Sequence, residues 1–183
     1  MQVVDVVILV CWLAFWGYWL IAAAGAKRGH GNWTRFAGIR IGVILLAFLL
    51  LRGRAFKGHV AATNDPWLLG IGLAVFLLGL ALAVWARVYL GRNWGTPMSQ
   101  KDDPELVTAG PYSRVRHPIY SGIILAMIGT TIAVSLYWLV AVVVIGAYFL
   151  YSAIVEERSM TRLFPDSYPG YKRSTKMLVP FLI

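Results

Sequence analysis

The chain has 183 residues, of which 59% are apolar and 14% charged, with a formal net charge of +9. A soluble domain carries roughly 25% charged residues and has no need of uncharged apolar runs some twenty residues long, so the bilayer is the expected solvent. The 17 Lys and Arg lie almost wholly between those runs. Topology and anionic headgroups account for that placement, which argues against nucleic acid as a partner.

The first run, Val3 to Ala24, carries one charge, Asp5. It lacks a basic n-region and is too long for a signal peptide, so a retained helix is expected, although Ala22-Ala23-Ala24-Gly25-Ala26 resembles a cleavage site. The single cysteine, Cys11, lies inside this run and cannot form an intramolecular disulfide. No Cys/His cluster has metal-ligand spacing, and no metal is expected. A basic loop leads to the second run, Phe36 to Leu51, where Arg40 can snorkel to the interface and Gly38 and Gly42 have the spacing of a packed helix face. Asn64-Asp65-Pro66 is a helix start signal for the third run, Trp67 to Ala86. Gly70, Gly72 and Gly79 do not follow the order of a dinucleotide loop, and no strand precedes them.

A polar stretch, Gly91 to Arg116, precedes 37 residues without a charge, Ile119 to Val155. One helix of that length would extend roughly 55 Å against a hydrocarbon core of about 30 Å. It has to fold back, and Val134-Ser135-Leu136-Tyr137-Trp138 is the expected bend. A polar tail, Glu156 to Lys176, follows. The predicted architecture is all-α: a single polytopic membrane domain of about five transmembrane helices, the last two a tight hairpin, with a cytosolic cofactor-binding loop and tail. Residues 1–84 supply the N-terminal helices and 85–183 the catalytic region. Five spans put twelve loop and tail Lys and Arg on one side and three on the other, so the long loop and tail are expected in the cytoplasm. Localisation is then the inner or plasma membrane.

Three groups of residues can carry chemistry. Arg116 and His117 precede Pro118, which suits the first turn of a helix. Free N–H groups, the helix dipole and an arginine there favour an anion, although basic residues also flank spans for topology alone. Glu156 and Glu157 leave the fifth helix beside Arg158 and Arg162, which is also ordinary surface pairing. The hairpin brings the two groups to within about one helix diameter, on the order of 10 Å. Tyr112, Tyr120, Phe164, Tyr168 and Tyr171 flank them and can stack on an adenine or face a sulfonium.

The stretch Leu106-Val107-Thr108-Ala109-Gly110-Pro111-Tyr112, followed by Arg116-His117-Pro118-Ile119-Tyr120-Ser121-Gly122, resembles the signature of the isoprenylcysteine carboxyl methyltransferases, relatives of the phospholipid N-methyltransferases. Glu156-Glu157, Phe164, Tyr168, Tyr171, Lys172-Arg173 and Pro180-Phe181 fit the second half of the pattern. The likeness covers roughly residues 85–183; Pro165 stands where a glycine is usual. It implies an enzyme that binds S-adenosylmethionine on its cytosolic face. By position in the motif, Leu106, Val107, Gly110, Tyr112, Arg116, His117, Pro118, Tyr120, Glu156, Glu157 and Tyr168 would surround the cofactor. Glu157, Arg158 and Arg173 would serve the reaction, the arginines orienting an acidic group. The membrane setting suggests a lipid-like, amphiphilic acceptor. A carboxylate acceptor needs only a positioning arginine, whereas an amine needs a proton acceptor; both sets are present. A phospholipid N-methyltransferase and a non-catalytic lipid-binding scaffold are the competing readings. Oligomeric state is not legible.

Overall fold

A computed structural model describes residues 3–24, scattered helical positions between 38 and 46, and residues 65–95 and 105–179. Most of the second apolar run, and the Pro180-Phe181 end of the motif, lie outside the described residues. Five helices are described in full: α1 (Val3–Ala24), α2 (Pro66–Leu90), α3 (Pro118–Ala133), α4 (Leu139–Leu163) and α5 (Tyr168–Ser174). No strand occurs among the described residues. Three helices, within Val3–Ala24, Pro66–Asn93 and Leu136–Leu163, are long and apolar enough to cross a membrane, and Pro118–Ala133 is a shorter apolar one. The protein is an all-α polytopic membrane protein.

Local chemistry sets the helix ends. The Asp65 side chain accepts from the Trp67 amide at 2.8 Å, and Pro66 occupies the first turn of α2, where its missing donor costs nothing. α2 continues one turn past the expected end at Ala86, because Arg87 is buried in the bundle instead of leaving it. The bend between α3 and α4 falls where the length argument puts it. The Ser135 side chain accepts from the Tyr137 amide, and a short 3₁₀ turn, Leu136–Trp138, opens α4. α4 then extends two turns beyond its uncharged part, so Glu156 to Leu163, expected as the start of the tail, remain helical.

α3 is the central helix and the most buried one. It runs antiparallel to α2 along a seam of small residues. A Cβ on Gly79 would come 2.3 Å from the Ala126 amide nitrogen, and one on Gly129 would come 2.3 Å from that of Phe76. Gly72, Phe76, Gly79 and Ala83 face Gly122, Ala126, Gly129 and Ala133 at alternating spacings of three and four. Without a hydrophobic drive between helices in lipid, such close backbone approach is what gains dispersion energy. A Cβ on Gly38 or Gly42, expected to pack against another helix, would meet no neighbour within 4 Å among the described residues; the close helix packing lies at this seam instead.

α1 packs beside this pair, with Trp12 against Phe76 at 5.6 Å and its indole N–H donating to Thr130 Oγ1 at 3.2 Å. Its last turn reaches the last turn of α2, where Arg87 donates to the Ala22 carbonyl at 2.7 Å. α1 and α2 therefore run parallel. The C-terminal ends of α1, α2 and α4 and the N-terminus of α3 all meet at one end.

Candidate functional site

That shared end carries the polar residues. The loop after α2 returns over it: Gly110–Ser113 form a 3₁₀ turn with Gly110 at φ 60°, where a Cβ would also strike the Tyr89 ring at 2.5 Å. Tyr112 is buried below this turn, in the same apolar cluster as Ile119, Tyr120 and Phe149, and Val107 packs against its edge. Leu106 is half-buried beside it in the chain. Pro118 opens α3 and is fully buried.

Arg116 and His117, at the head of α3, meet Glu156 and Glu157 of α4 in direct contact. Arg116 Nε donates to Glu157 Oε1 at 2.6 Å, with side chains 7% and 3% exposed. His117 lies between the two carboxylates, Nδ1 at 3.4 Å from Glu156 Oε2 and Nε2 at 3.7 Å from Glu157 Oε1. The Tyr120 hydroxyl donates to Glu156 Oε1 at 2.6 Å. Its ring is stacked between His117, at 5.5 Å, and Phe149, at 4.5 Å, both within a few degrees of parallel. Burial pulls the His117 pKa down, but the hydrogen bonds and negative charges of Glu156 and Glu157 outweigh it and hold it above the ordinary imidazole value.

The tail closes the cluster. Tyr168, Lys172 and Thr175 follow one another at helical spacing, and the first and last are buried. Lys172 Nζ reaches Glu157 Oε2 at 2.7 Å. Arg116 Nη1 donates to the Lys172 carbonyl at 3.1 Å and to the carbonyl and hydroxyl of Thr175. The Tyr171 hydroxyl donates to the Tyr112 carbonyl at 2.7 Å. Burial pushes that hydroxyl's pKa up to about 12, so it stays a donor at neutral pH.

One expectation needs correcting. The amides before α3 are not free to hold an anion: Arg116 N–H donates to the Lys176 carbonyl at 2.8 Å and His117 N–H to that of Met177 at 3.0 Å. The tail occupies them as a short parallel bridge, Val115 with Lys176. Ser121 Oγ fastens the next residue of the tail by donating to the Leu178 carbonyl.

The structure thus brings together Tyr112, Arg116, His117, Pro118, Tyr120, Glu156, Glu157 and Tyr168. Arg158 and Arg173 are exposed and stand outside this buried cluster. Thr175 and Arg87 were not among the expected site residues, and Lys172 entered only as half of a basic pair in the motif. Lys172 and Thr175 were signalled by the phase of α5, since Tyr168 fixes the inward face and Arg173 falls off it. Arg87 directly follows the third apolar run, where a charge is ordinarily expected to leave the apolar layer. It is 4% exposed, donates to the Gly91 carbonyl at 2.6 Å and lies 4.8 Å over the Trp94 ring. Among the described residues no group of three or more His, Cys, Asp or Glu side chains is arranged to hold a metal ion.

A bundle of apolar helices with an acid–base cluster sealed at one end by its own tail defines a polytopic membrane protein with an interfacial polar site. Residues 67–167, more than half of the chain, match the model of the phospholipid methyltransferase family. The chain belongs to that family of membrane methyltransferases. It is 29% identical over 146 residues to the nickel-cobalt-cadmium resistance protein NccN of Alcaligenes xylosoxydans xylosoxydans, covering 78% of this chain and 65% of that one. It is 28% identical over 120 residues to the protein-S-isoprenylcysteine O-methyltransferase B of Arabidopsis thaliana, covering 63% and 61%. It is 36% identical over 171 residues to the methanethiol S-methyltransferase 1 of Bradyrhizobium diazoefficiens, covering 81% and 58%. The chain therefore spans about three fifths of the length of these relatives.

Proposed function

We propose that the protein transfers a methyl group from S-adenosylmethionine to a lipid-like acceptor at the cytosolic face of the membrane, in the manner of an isoprenylcysteine carboxyl methyltransferase. The observation that carries this reading is the meeting of His117 and Tyr120 with Glu156 and Glu157 under the α5 tail. The cofactor pairs a cationic sulfonium and an amino acid end with an adenosine, and this end of the bundle offers carboxylates and aromatic rings together. One buried polar atom fits a ligand as well: His117 Nε2 makes no close hydrogen bond among the described residues, its nearest acceptor being Glu157 Oε1 at 3.7 Å. An orphaned buried donor is costly unless something pairs with it.

Bound there, S-adenosylmethionine supplies an activated methyl group, transferred when an acceptor lone pair forms the new bond to carbon and the carbon–sulfur bond breaks. This chain's residues then have to align and to exclude water, which is worth several kcal/mol, up to roughly 7–11 in favourable cases. In this reading Glu156, Glu157 and His117 hold the polar end of the cofactor, and Tyr112 and Tyr120 line its edge. Leu106, Val107 and Gly110 pass along the adenosine, and Tyr168 covers it. Arg116 fixes Glu157 and anchors the tail. Arg158 and Arg173, being exposed, are placed to meet an acidic group arriving from the headgroup layer. Orientation rests on the twelve-to-three bias of basic residues. The acceptor's tail would stay in lipid while its polar end enters between helix ends.

The test has two arms. Calorimetry of detergent-purified protein with S-adenosylhomocysteine should give saturable binding that His117→Ala weakens at least tenfold. Labelled methyl should then pass from S-adenosylmethionine to a lipid-soluble product in membrane extracts. Saturable binding with no labelled lipid-soluble product would overturn the acceptor class, and absent binding would leave the lipid-binding scaffold as the better reading.

A further inference from the structure

Glu157 is surrounded by a guanidinium, an imidazole and an ammonium, and they differ in exposure. The Arg116 and His117 side chains are 7% and 11% exposed and are each fixed by further bonds; the Lys172 side chain is 49% exposed and reaches Glu157 through its ammonium. Lys172 Nζ sits 2.7 Å from Glu157 Oε2, the oxygen that Arg116 leaves open. The pair is therefore an ammonium on a carboxylate with one partner rigid and the other on a flexible four-carbon stem. A ligand bearing an ammonium and a carboxylate on one carbon matches this pair charge for charge. Its ammonium can take the place of Lys172 on Glu157, and the displaced lysine can pair with its carboxylate. No charge is left uncompensated by the exchange, which is what a desolvated site requires.

We infer that Lys172 is a binding residue that recognises the carboxylate of the amino acid end of the cofactor, using Glu157 as its resting partner when the site is empty. This rests on the methyltransferase reading above and assigns a role to a residue that the motif includes only as half of a basic pair. Two geometric facts support it. The backbone carbonyl of Lys172 is held by Arg116, so the stem starts from a fixed point beside the site. Lys172 also lies at helical spacing from Tyr168 and Thr175, both buried, so its side chain leaves α5 on the site-facing side. Arg173, the next residue, is exposed on another face.

The experiment compares two probes, S-adenosylhomocysteine and its decarboxylated analogue, which keeps the amine and lacks only the carboxylate. Titrations use the full-length protein in detergent. The wild type should prefer S-adenosylhomocysteine by about fivefold, the scale of a half-exposed charged pair. Lys172→Ala should abolish that preference while still binding the decarboxylated probe at least as tightly, because Glu157 is then freed for the amine. Lys172→Arg should retain the preference. Lys172→Gln, which keeps the length and removes the charge, gives the same reading should Lys172→Ala prove unstable. An undiminished preference in Lys172→Ala or Lys172→Gln, or an equal loss for both probes, overturns the assignment. Failure of the wild type to bind either probe refutes the methyltransferase reading, and the assignment with it.

Discussion

Replacing Glu157 by Gln tests the centre of the acid–base cluster. The substitution keeps the shape and removes one negative charge that Arg116, His117 and Lys172 share. The Arg116 bond is short and buried, and a hydrogen bond between charged groups contributes about 1.5–3 kcal/mol. The Lys172 contact is half-exposed, so about 0.5–1 kcal/mol is the most it adds. Gln retains one acceptor oxygen but turns an amide N–H toward a cation, which leaves the total at about 2–4 kcal/mol. For a chain of this size that lowers the melting temperature by on the order of 10 °C. A second consequence concerns pH. The folded-state pKa of His117 is raised, so its contribution to stability is complete below about pH 6.5 and is lost as pH rises through the folded value. Glu157→Gln removes part of what raises it and leaves the lowering effect of burial. Thermal unfolding in detergent between pH 6 and pH 9 should therefore show a smaller decline for the variant than for the wild type. The His117 ring should titrate at lower pH by NMR. A variant that melts within about 2 °C of the wild type, with an unmoved His117 titration, would refute the coupling.

Three further outcomes follow from the packing. Arg116→Lys cannot reproduce bonds to Glu157 and to two tail carbonyls at once, so trypsin should cut at Lys172, Arg173 and Lys176 at least several times faster. A rate equal to the wild type's would show that the tail is held elsewhere. Gly129→Val drives a Cβ to 2.3 Å from the Phe76 backbone and should cost about 1–3 kcal/mol or more, read as lost thermal stability; Gly146→Ala, with open space around it, should be silent. Trp12→Phe keeps the ring and loses the bond to Thr130, so its cost by reversible unfolding in detergent should be about 0.6 kcal/mol beyond that of the smaller ring.

Much of this arrangement could be anticipated from residue order. Thirty-seven uncharged residues cannot cross a bilayer once as a straight helix, so the U-turn between α3 and α4 follows from length, and with it the meeting of His117 and Glu156. The cap at Asp65 and the bend at Ser135 were visible as local side-chain chemistry. What was not visible depended on partners distant in the chain. The span count ended α2 at Arg87 because a charge normally leaves the apolar layer. The Ala22 carbonyl of α1, the turn at Gly91 and the Trp94 ring make its burial tolerable. The amides of Arg116 and His117 looked free because nothing local pairs with them, and their partners lie some sixty residues later. Lys172 was hidden by its neighbour: a basic pair gives no indication of which member faces inward until Tyr168 fixes the phase. Gly79 and Ala83, Gly122 and Ala126, and Gly129 and Ala133 each have small-xxx-small spacing, but neither helix alone says which partner it meets, since each supplies only half of the complementary surface.

The parallel bridge between Val115 and Lys176 has a consequence for biogenesis. The helices that frame the acid–base cluster enter the bilayer during translation, whereas the ribosome has still to deliver the segment that covers it. The S-adenosylhomocysteine binding proposed above should therefore arise late and abruptly in a series of stalled nascent chains. Chains released short of Thr175 would sit in the membrane with an open, inert mouth.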